Sequence, residues 1–224
     1  MTSLPEAVFF DWDGTLVESL KFIFSAHNHV RMHFGFPEWT FDEYKDNMKY
    51  SSVELYPKVY GANSAAAMDV LAKFMESNHL QNLVTMDGAD ALLDALHQAN
   101  VPMGVVSNKR QAFLVREVTH LGWDKYFKAI VGAGVAARDK PEGDPLVLAL
   151  SNAGLKPGPH VLYVGDTETD LLCAGAAGCK TAFLYHSQPN NPLIQKHNPE
   201  MVAKNCEELA VALFLPANQH KLIL

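Results

Sequence analysis

The most constraining feature of this chain is a set of short apolar runs that alternate with amphipathic helical patterns. The runs are Ala7 to Phe10, Met103 to Val106, Ala129 to Val131, Val161 to Val164 and Thr181 to Leu184. Runs this short, without polar alternation, predict strands covered on both faces, and hence a parallel sheet with helices on either side. Between them Ala89, Leu92, Leu93 and Leu96 recur at helical spacing and predict a helix from Asp90 to Ala99. Leu114, Val118 and Leu121 repeat the pattern, with Gly122 as its stop. Asp144 before Pro145 predicts an N-cap and first helical residue, opening a helix that reaches about Asn152. A further strand at Met201 to Ala203 and a helix at Glu207 to Phe214 are expected near the C-terminus. The fold class is α/β, with a Rossmann-like parallel sheet.

One stretch breaks the alternation. From Val17 to about Asn82 no strand is evident, only helical patterns: Ile23, Ala26, Val30 and Phe34, then Phe41 to Tyr60, then Ser64 to Met75. A crossover between parallel strands needs about a dozen residues, far fewer than this segment contains. The expected organisation is therefore a catalytic core made of residues 1–16 and 83–224, with an inserted all-α cap over residues 17–82.

Charge and composition exclude several classes of function. Lys and Arg number 18 against 25 Asp and Glu, a net −7, with no basic stripe, so nucleic acid is not an expected partner. No basic leader precedes a long apolar run and no stretch approaches the roughly 18 apolar residues of a membrane span, so no membrane is expected and a cytoplasmic location is. Cys173, Cys179 and Cys206 are odd in number and show no C-x-x-C spacing, which suggests buried free thiols. Either a monomer or a homodimer is compatible with these properties.

In an open α/β sheet, ligands bind beyond the carboxyl ends of the strands, so the residues that follow each strand are read together. After Phe10 come Asp11, Trp12, Asp13, Gly14 and Thr15; after Val106 come Ser107 and Asn108; after Val164 come Gly165, Asp166, Thr167, Glu168, Thr169 and Asp170. Lys140 stands in a loop after the third strand. The expected site gathers Asp11, Asp13, Asp166 and Asp170 around the single ammonium of Lys140. Such a cluster would repel itself unless a hard divalent cation such as Mg²⁺ were bound, or one carboxyl were protonated. Asp11-x-Asp13, turned by Gly14 and Thr15, lets one carboxylate attack phosphorus while the other moves protons. Ser107 and Lys140 would then stabilise charge on a phosphoryl group.

FFDWDGTLVES, VVSNKR, RDKP and YVGDTETD, in this order, resemble the four motifs of the haloacid dehalogenase superfamily, in the subgroup with a helical cap after the first strand. The match spans roughly residues 6 to 184. The resemblance implies Asp11 as nucleophile, Asp13 as acid and base, and Ser107 and Lys140 as catalytic partners on the phosphoryl group. It implies Mg²⁺ held by Asp11, the Asp13 backbone carbonyl and Asp166, with Asp170 supporting the metal site. Gly14, Thr15, Ser107, Asn108 and Lys140 are the candidate substrate-binding residues. Superfamily dehalogenases lack an acid at the position of Asp13 and phosphonate-cleaving members carry Ala there, so a small phosphate monoester is the expected substrate. The expected activity is a phosphatase of the phosphoglycolate-hydrolysing kind. A mutase of the β-phosphoglucomutase kind, or a phosphate-binding regulatory module without turnover, are the alternatives.

Other features have plainer readings. Trp12 is expected to be packed or partly covering the site, and Glu168 to be a solvent-facing loop residue. Gly132-Ala133-Gly134-Val135-Ala136-Ala137 fits a dinucleotide fingerprint, yet Arg138 to Pro141 interrupts the helix that should open there. No G-x-x-x-x-G-K-[ST] phosphate loop occurs. His27, His29 and His33 are expected on a solvated or half-buried cap face, with only His29 and His33 sharing a side. Lys49, Tyr50, Ser51 and Ser52 are candidates for substrate selection.

Overall fold

Strand β1, Ala7–Phe10, has all four side chains fully buried, as a strand covered on both faces must. A computed structural model describes residues 4–47 and 52–214, excluding the side chains of 52–54. The chain forms two compact units, Met1–Glu18 with Val84–Leu224, and Ser19–Leu83. The first unit contains β1, β2 (Val17–Glu18), β3 (Val84–Thr85), β4 (Met103–Arg110), β5 (Phe127–Ala133), β6 (Val161–Gly165), β7 (Lys180–Leu184) and β8 (Met201–Ala203). Six of these form one sheet in the order β5-β4-β1-β6-β7-β8, with every pairing parallel.

The chain leaves β1 toward β4 and β5 on one side, and later strands fill the other side, so the order reverses at β1. A crevice forms beyond the carboxyl end of a strand at such a switch point. Phe10 lies level with Val105 on β4 and with Val164 on β6, which brings the ends of all three strands together. Asp11 N–H continues the ladder to the Val164 carbonyl at 2.8 Å.

Two expectations about strands are corrected. Val17–Glu18 does form a strand, antiparallel to Val84–Thr85, and the helical segment departs from and returns to this ribbon. Two residues are too few to show any periodicity in sequence. β4 also runs beyond Val106, where the five residues from Val106 to Arg110 span only three on β5, Val131 to Ala133. That irregularity displaces Ser107, Asn108 and Lys109 from the regular ladder.

The second unit is helical: α1 (Leu20–His33), α2 (Phe41–Asn47), α3 (Ser52–Tyr60) and α4 (Ser64–Asn78), with a 3₁₀ turn at Gly61–Asn63. Its own core gathers Val30, Leu55, Tyr56, Tyr60 and Ala67. His27 belongs to this interior at 2% exposure, which corrects the solvated or half-buried face expected for it. Its Nδ1 lies 3.2 Å from the Tyr56 hydroxyl, and burial pushes its pKa down to about 4. His29 is half-buried and His33 exposed. Lys49, Tyr50 and Ser51 lie outside the described residues, as does the Ser52 side chain.

The remaining helices, α5 (Ala89–Gln98), α6 (Gln111–His120), α7 (Asp144–Asn152), α8 (Glu168–Ala176), α9 (Pro192–His197) and α10 (Cys206–Phe214), belong to the α/β unit. Apolar positions of α7 and α8, among them Leu146, Leu150 and Cys173, pack with Phe9, Val131 and Tyr163 of the sheet. Full burial of each large side chain contributes roughly 1.5–3 kcal/mol. The N-cap of α7 is Gly143, so Asp144 is the first helical residue and not the cap. Glu168 opens α8 and pairs with Lys196 and His197, so it is a helix residue and not a loop residue. The three thiols are free, and burial raises each of their pKa values. Among the described residues no helix is long and apolar enough to cross a membrane.

Candidate active site

At the end of β1 the Trp12 carbonyl accepts the N–H groups of Thr15, Leu16 and Val17, folding the chain back on itself directly after Asp11. Gly14 turns at φ +85°, and a Cβ there would overlap the Asp166 carboxylate. Glycine is therefore required twice over, for the backbone angle and for the close approach of β6's end.

Lys140 organises the deepest part of the site. Its Nζ donates to Asp11 Oδ1 at 2.6 Å, Asp170 Oδ1 at 2.7 Å and the Tyr163 hydroxyl oxygen at 3.2 Å, which uses all three ammonium protons. Both partner carboxylates are almost wholly buried, so their contact with the ammonium is little screened by solvent. Asp170 also serves locally, since its Oδ2 accepts from the N–H (3.0 Å) and hydroxyl of Thr167 at the start of α8. Asn108 aligns the Lys140 backbone from two sides. Its amide donates to the Lys140 carbonyl at 3.0 Å and accepts the Lys140 N–H at 3.1 Å.

Asp11, Asp166 and Asp170 each present an oxygen within 4.8 Å of the others. Burial and mutual repulsion raise the pKa of Asp11 and of Asp166. With Lys140 the group carries a formal −2, and its donors are hard oxygens. A divalent cation of the Mg²⁺ kind fits both the charge and the donor set. Thr15 donates its hydroxyl to Asp166 at 3.1 Å and so orients one of these oxygens.

Asp13 has a different partner. Lys109 Nζ lies 2.8 Å from Asp13 Oδ1 and 2.7 Å from Glu117 Oε2, and Glu117 also accepts the Trp12 indole N–H at 2.6 Å. The single ammonium expected from sequence is thus corrected to two, Lys140 for the deep carboxylates and Lys109 for Asp13. Lys109 stood in the quoted VVSNKR segment, adjacent to two candidate residues. Glu117 lies on the α6 face that also carries Leu114 and Val118, so an acid in an apolar stripe was the available signal. Tyr163 gave no signal, as one aromatic residue in a strand.

Ser107 is buried with its Oγ accepting the Lys109 N–H at 3.1 Å, which leaves the hydroxyl proton available for donation. The Gly14 N–H is taken by the Val17 carbonyl at 2.8 Å, so Gly14 and Thr15 would have to exchange internal partners to hold a substrate. Trp12 is fully buried and meets Trp123 edge-on at 5.7 Å.

Residues 8–184 match the family described as haloacid dehalogenase-like hydrolase. The chain belongs to this family. Among relatives, a phosphoglycolate phosphatase 1 of Pseudomonas aeruginosa is 27% identical, covering 96% of this chain and 84% of its own length. A pyrophosphatase of Bacillus pumilus is 26% identical, covering 92% of this chain and 95% of its own. A haloacid dehalogenase-like hydrolase structure from Streptococcus pneumoniae shares the fold with a TM-score of 0.81, at 22% identity over 96% of this chain and all of that one. As a haloacid dehalogenase-like hydrolase the protein is an enzyme, and the family match covers all four strand-end segments of the site.

Proposed function

We propose that this hydrolase is a Mg²⁺-dependent phosphatase of small phosphate monoesters, phosphoglycolate foremost, that carries the phosphoryl group on Asp11. The observation that carries the reading is the buried contact of Lys140 with Asp11 (2.6 Å) and Asp170 (2.7 Å) inside a three-carboxylate cluster. The Pseudomonas relative's name supports phosphoglycolate, and the Bacillus relative's name adds inorganic pyrophosphate as a second candidate.

In this reading Lys140 holds one Asp11 oxygen, and the other attacks phosphorus. The Asp11–phosphorus bond forms as the ester oxygen leaves with a proton from Asp13. Asp13 then removes a proton from water, whose oxygen displaces phosphate and restores the Asp11 carboxylate. The Ser107 hydroxyl donates to a phosphoryl oxygen, as does Lys140 by exchanging one of its three internal partners, and donors of this kind contribute roughly 2.7–4 kcal/mol each. Asp11, Asp166 and the Asp13 backbone carbonyl would hold the cation, with Asp170 supporting them. When bound, Mg²⁺ offsets the remaining −2 and polarises a phosphoryl oxygen. The helical unit Ser19–Leu83 acts as the mobile cap that selects the leaving group.

The test is phosphate release from phosphoglycolate and from an aryl phosphate, with and without Mg²⁺. Asp11→Asn is expected to lose turnover by on the order of 10⁴-fold or more, and retention of wild-type turnover would refute the nucleophile. A mutase would instead isomerise glucose 1-phosphate when primed with a bisphosphate. Absence of release across a broad ester panel would favour a binding module.

A further inference from the structure

The Lys109–Glu117 pair is unexplained by packing. Glu117 is 1% exposed on the face of α6 that also buries Leu114 and Val118, an otherwise apolar stripe. Replacing buried ion pairs by apolar residues is often neutral or stabilising, so such pairs are poor devices for stability alone. What the pair does is directional. The fully buried Trp12 indole holds Glu117 at 2.6 Å, Glu117 holds Lys109 Nζ at 2.7 Å, and Lys109 reaches Asp13 Oδ1 at 2.8 Å. Lys109 is 10% exposed and Asp13 27%, so the chain of contacts runs from the interior of α6 to a site carboxylate that remains partly open.

We propose that Lys109, itself oriented by Glu117 and Trp12, is a positioning residue for Asp13. It tethers one carboxylate oxygen so that the other is aimed at the atom that gains or loses the proton. The inference rests on the reading of Asp13 as acid and base. An ammonium clamped between two carboxylates has little freedom, and a clamped Asp13 oxygen removes a rotamer search before each proton transfer. The defect expected on losing the clamp is therefore confined to proton transfer and depends on how much the leaving group needs a proton.

The experiment measures kcat and KM for an alkyl phosphate and for p-nitrophenyl phosphate in Lys109→Met, Lys109→Arg and the double variant Lys109→Met/Glu117→Gln. The double variant leaves no orphaned buried charge and keeps an acceptor for Trp12, so it tests the idea if the single variant fails to fold. With the alkyl phosphate, kcat is expected to fall about 10²-fold, the lower end for acid–base contributions, with KM within about threefold. With p-nitrophenyl phosphate, whose leaving group needs no proton, a burst of nitrophenolate is expected to precede slow turnover. Lys109→Arg is expected to recover part of the loss. An equal fall for both esters without a burst, or a loss of melting temperature alone, would overturn the positioning role. Asp13→Asn run in parallel separates the two ideas. If it matches wild type, the acid–base reading itself has failed; if it shows the deeper version of the leaving-group pattern while the Lys109 variants do not, only the positioning role has failed.

Discussion

The two units of this protein surround their buried ionisable groups differently. In the α/β unit, Asp11, Asp170, Lys140, Lys109 and Glu117 are buried against side chains of opposite formal charge, at distances of 2.6 to 2.8 Å, and burial with mutual repulsion still raises the pKa of Asp11. In the helical unit, burial drives the groups toward neutrality. His27 has its pKa lowered to about 4, and Tyr44, Tyr56 and Tyr60 have theirs raised. The buried Arg31 there donates to the Pro37 carbonyl at 2.6 Å and lies over the Trp39 ring at 4.3 Å. Buried charge is costly unless paired, so a protein concentrates it where chemistry uses it. In the proposed reading the α/β unit is accordingly the catalytic one, and the helical interior is a packing core.

Breaking the charge set of the α/β unit should cost activity, with the largest effect at Lys140. Lys140→Met is expected to lower kcat by on the order of 10³-fold for every ester, whatever its leaving group. Steady-state kinetics on the alkyl and aryl phosphates check this, and equal activity would remove Lys140 from the reaction. Gly14→Ala pushes a Cβ into the Asp166 carboxylate at a strained backbone angle. The Mg²⁺ concentration for half-maximal rate should rise roughly 10- to 100-fold, the range for disturbed ligand orientation. Asn108→Ala releases the Lys140 backbone and should lower kcat by about tenfold, with little change in melting temperature.

The helical unit should respond in stability and not in turnover. The unfolded imidazole of His27 takes up a proton near 6.5, whereas the folded one resists until about 4. Between these values the unfolded state binds more protons, so stability falls as pH falls through the interval, by about 3 kcal/mol in total. Denaturant unfolding of wild type and His27→Gln from pH 7 to 4 should show a shallower acid slope in the variant. Equal slopes would mean that His27 is not buried neutral.

The α/β core was legible because strands buried on both faces must be apolar throughout and because ligands gather at their carboxyl ends. Ala7–Phe10 and Val161–Val164 therefore announced both the sheet and the crevice. What stayed hidden was set by contacts distant in sequence. The ribbon of Val17–Glu18 with Val84–Thr85 is too short for a pattern, and the overrun of β4 depends on its register with β5. Among site residues, the four acids followed strand ends within a few residues and Lys140 stood in the loop after the third strand, whereas the division of those acids between two ammonium groups needed the path of α6. His27 was misjudged because spacing along one helix shows which side chains share a face, not which face another helix covers.

The most direct measurement of the central claim is acid-quenched mass spectrometry of the enzyme mixed with Mg²⁺ and an aryl phosphate. The account predicts one phosphoryl group on the peptide that carries Asp11, absent from Asp11→Asn and increased in Asp13→Asn. Continued turnover with no adduct, or an adduct on any other residue, would contradict it.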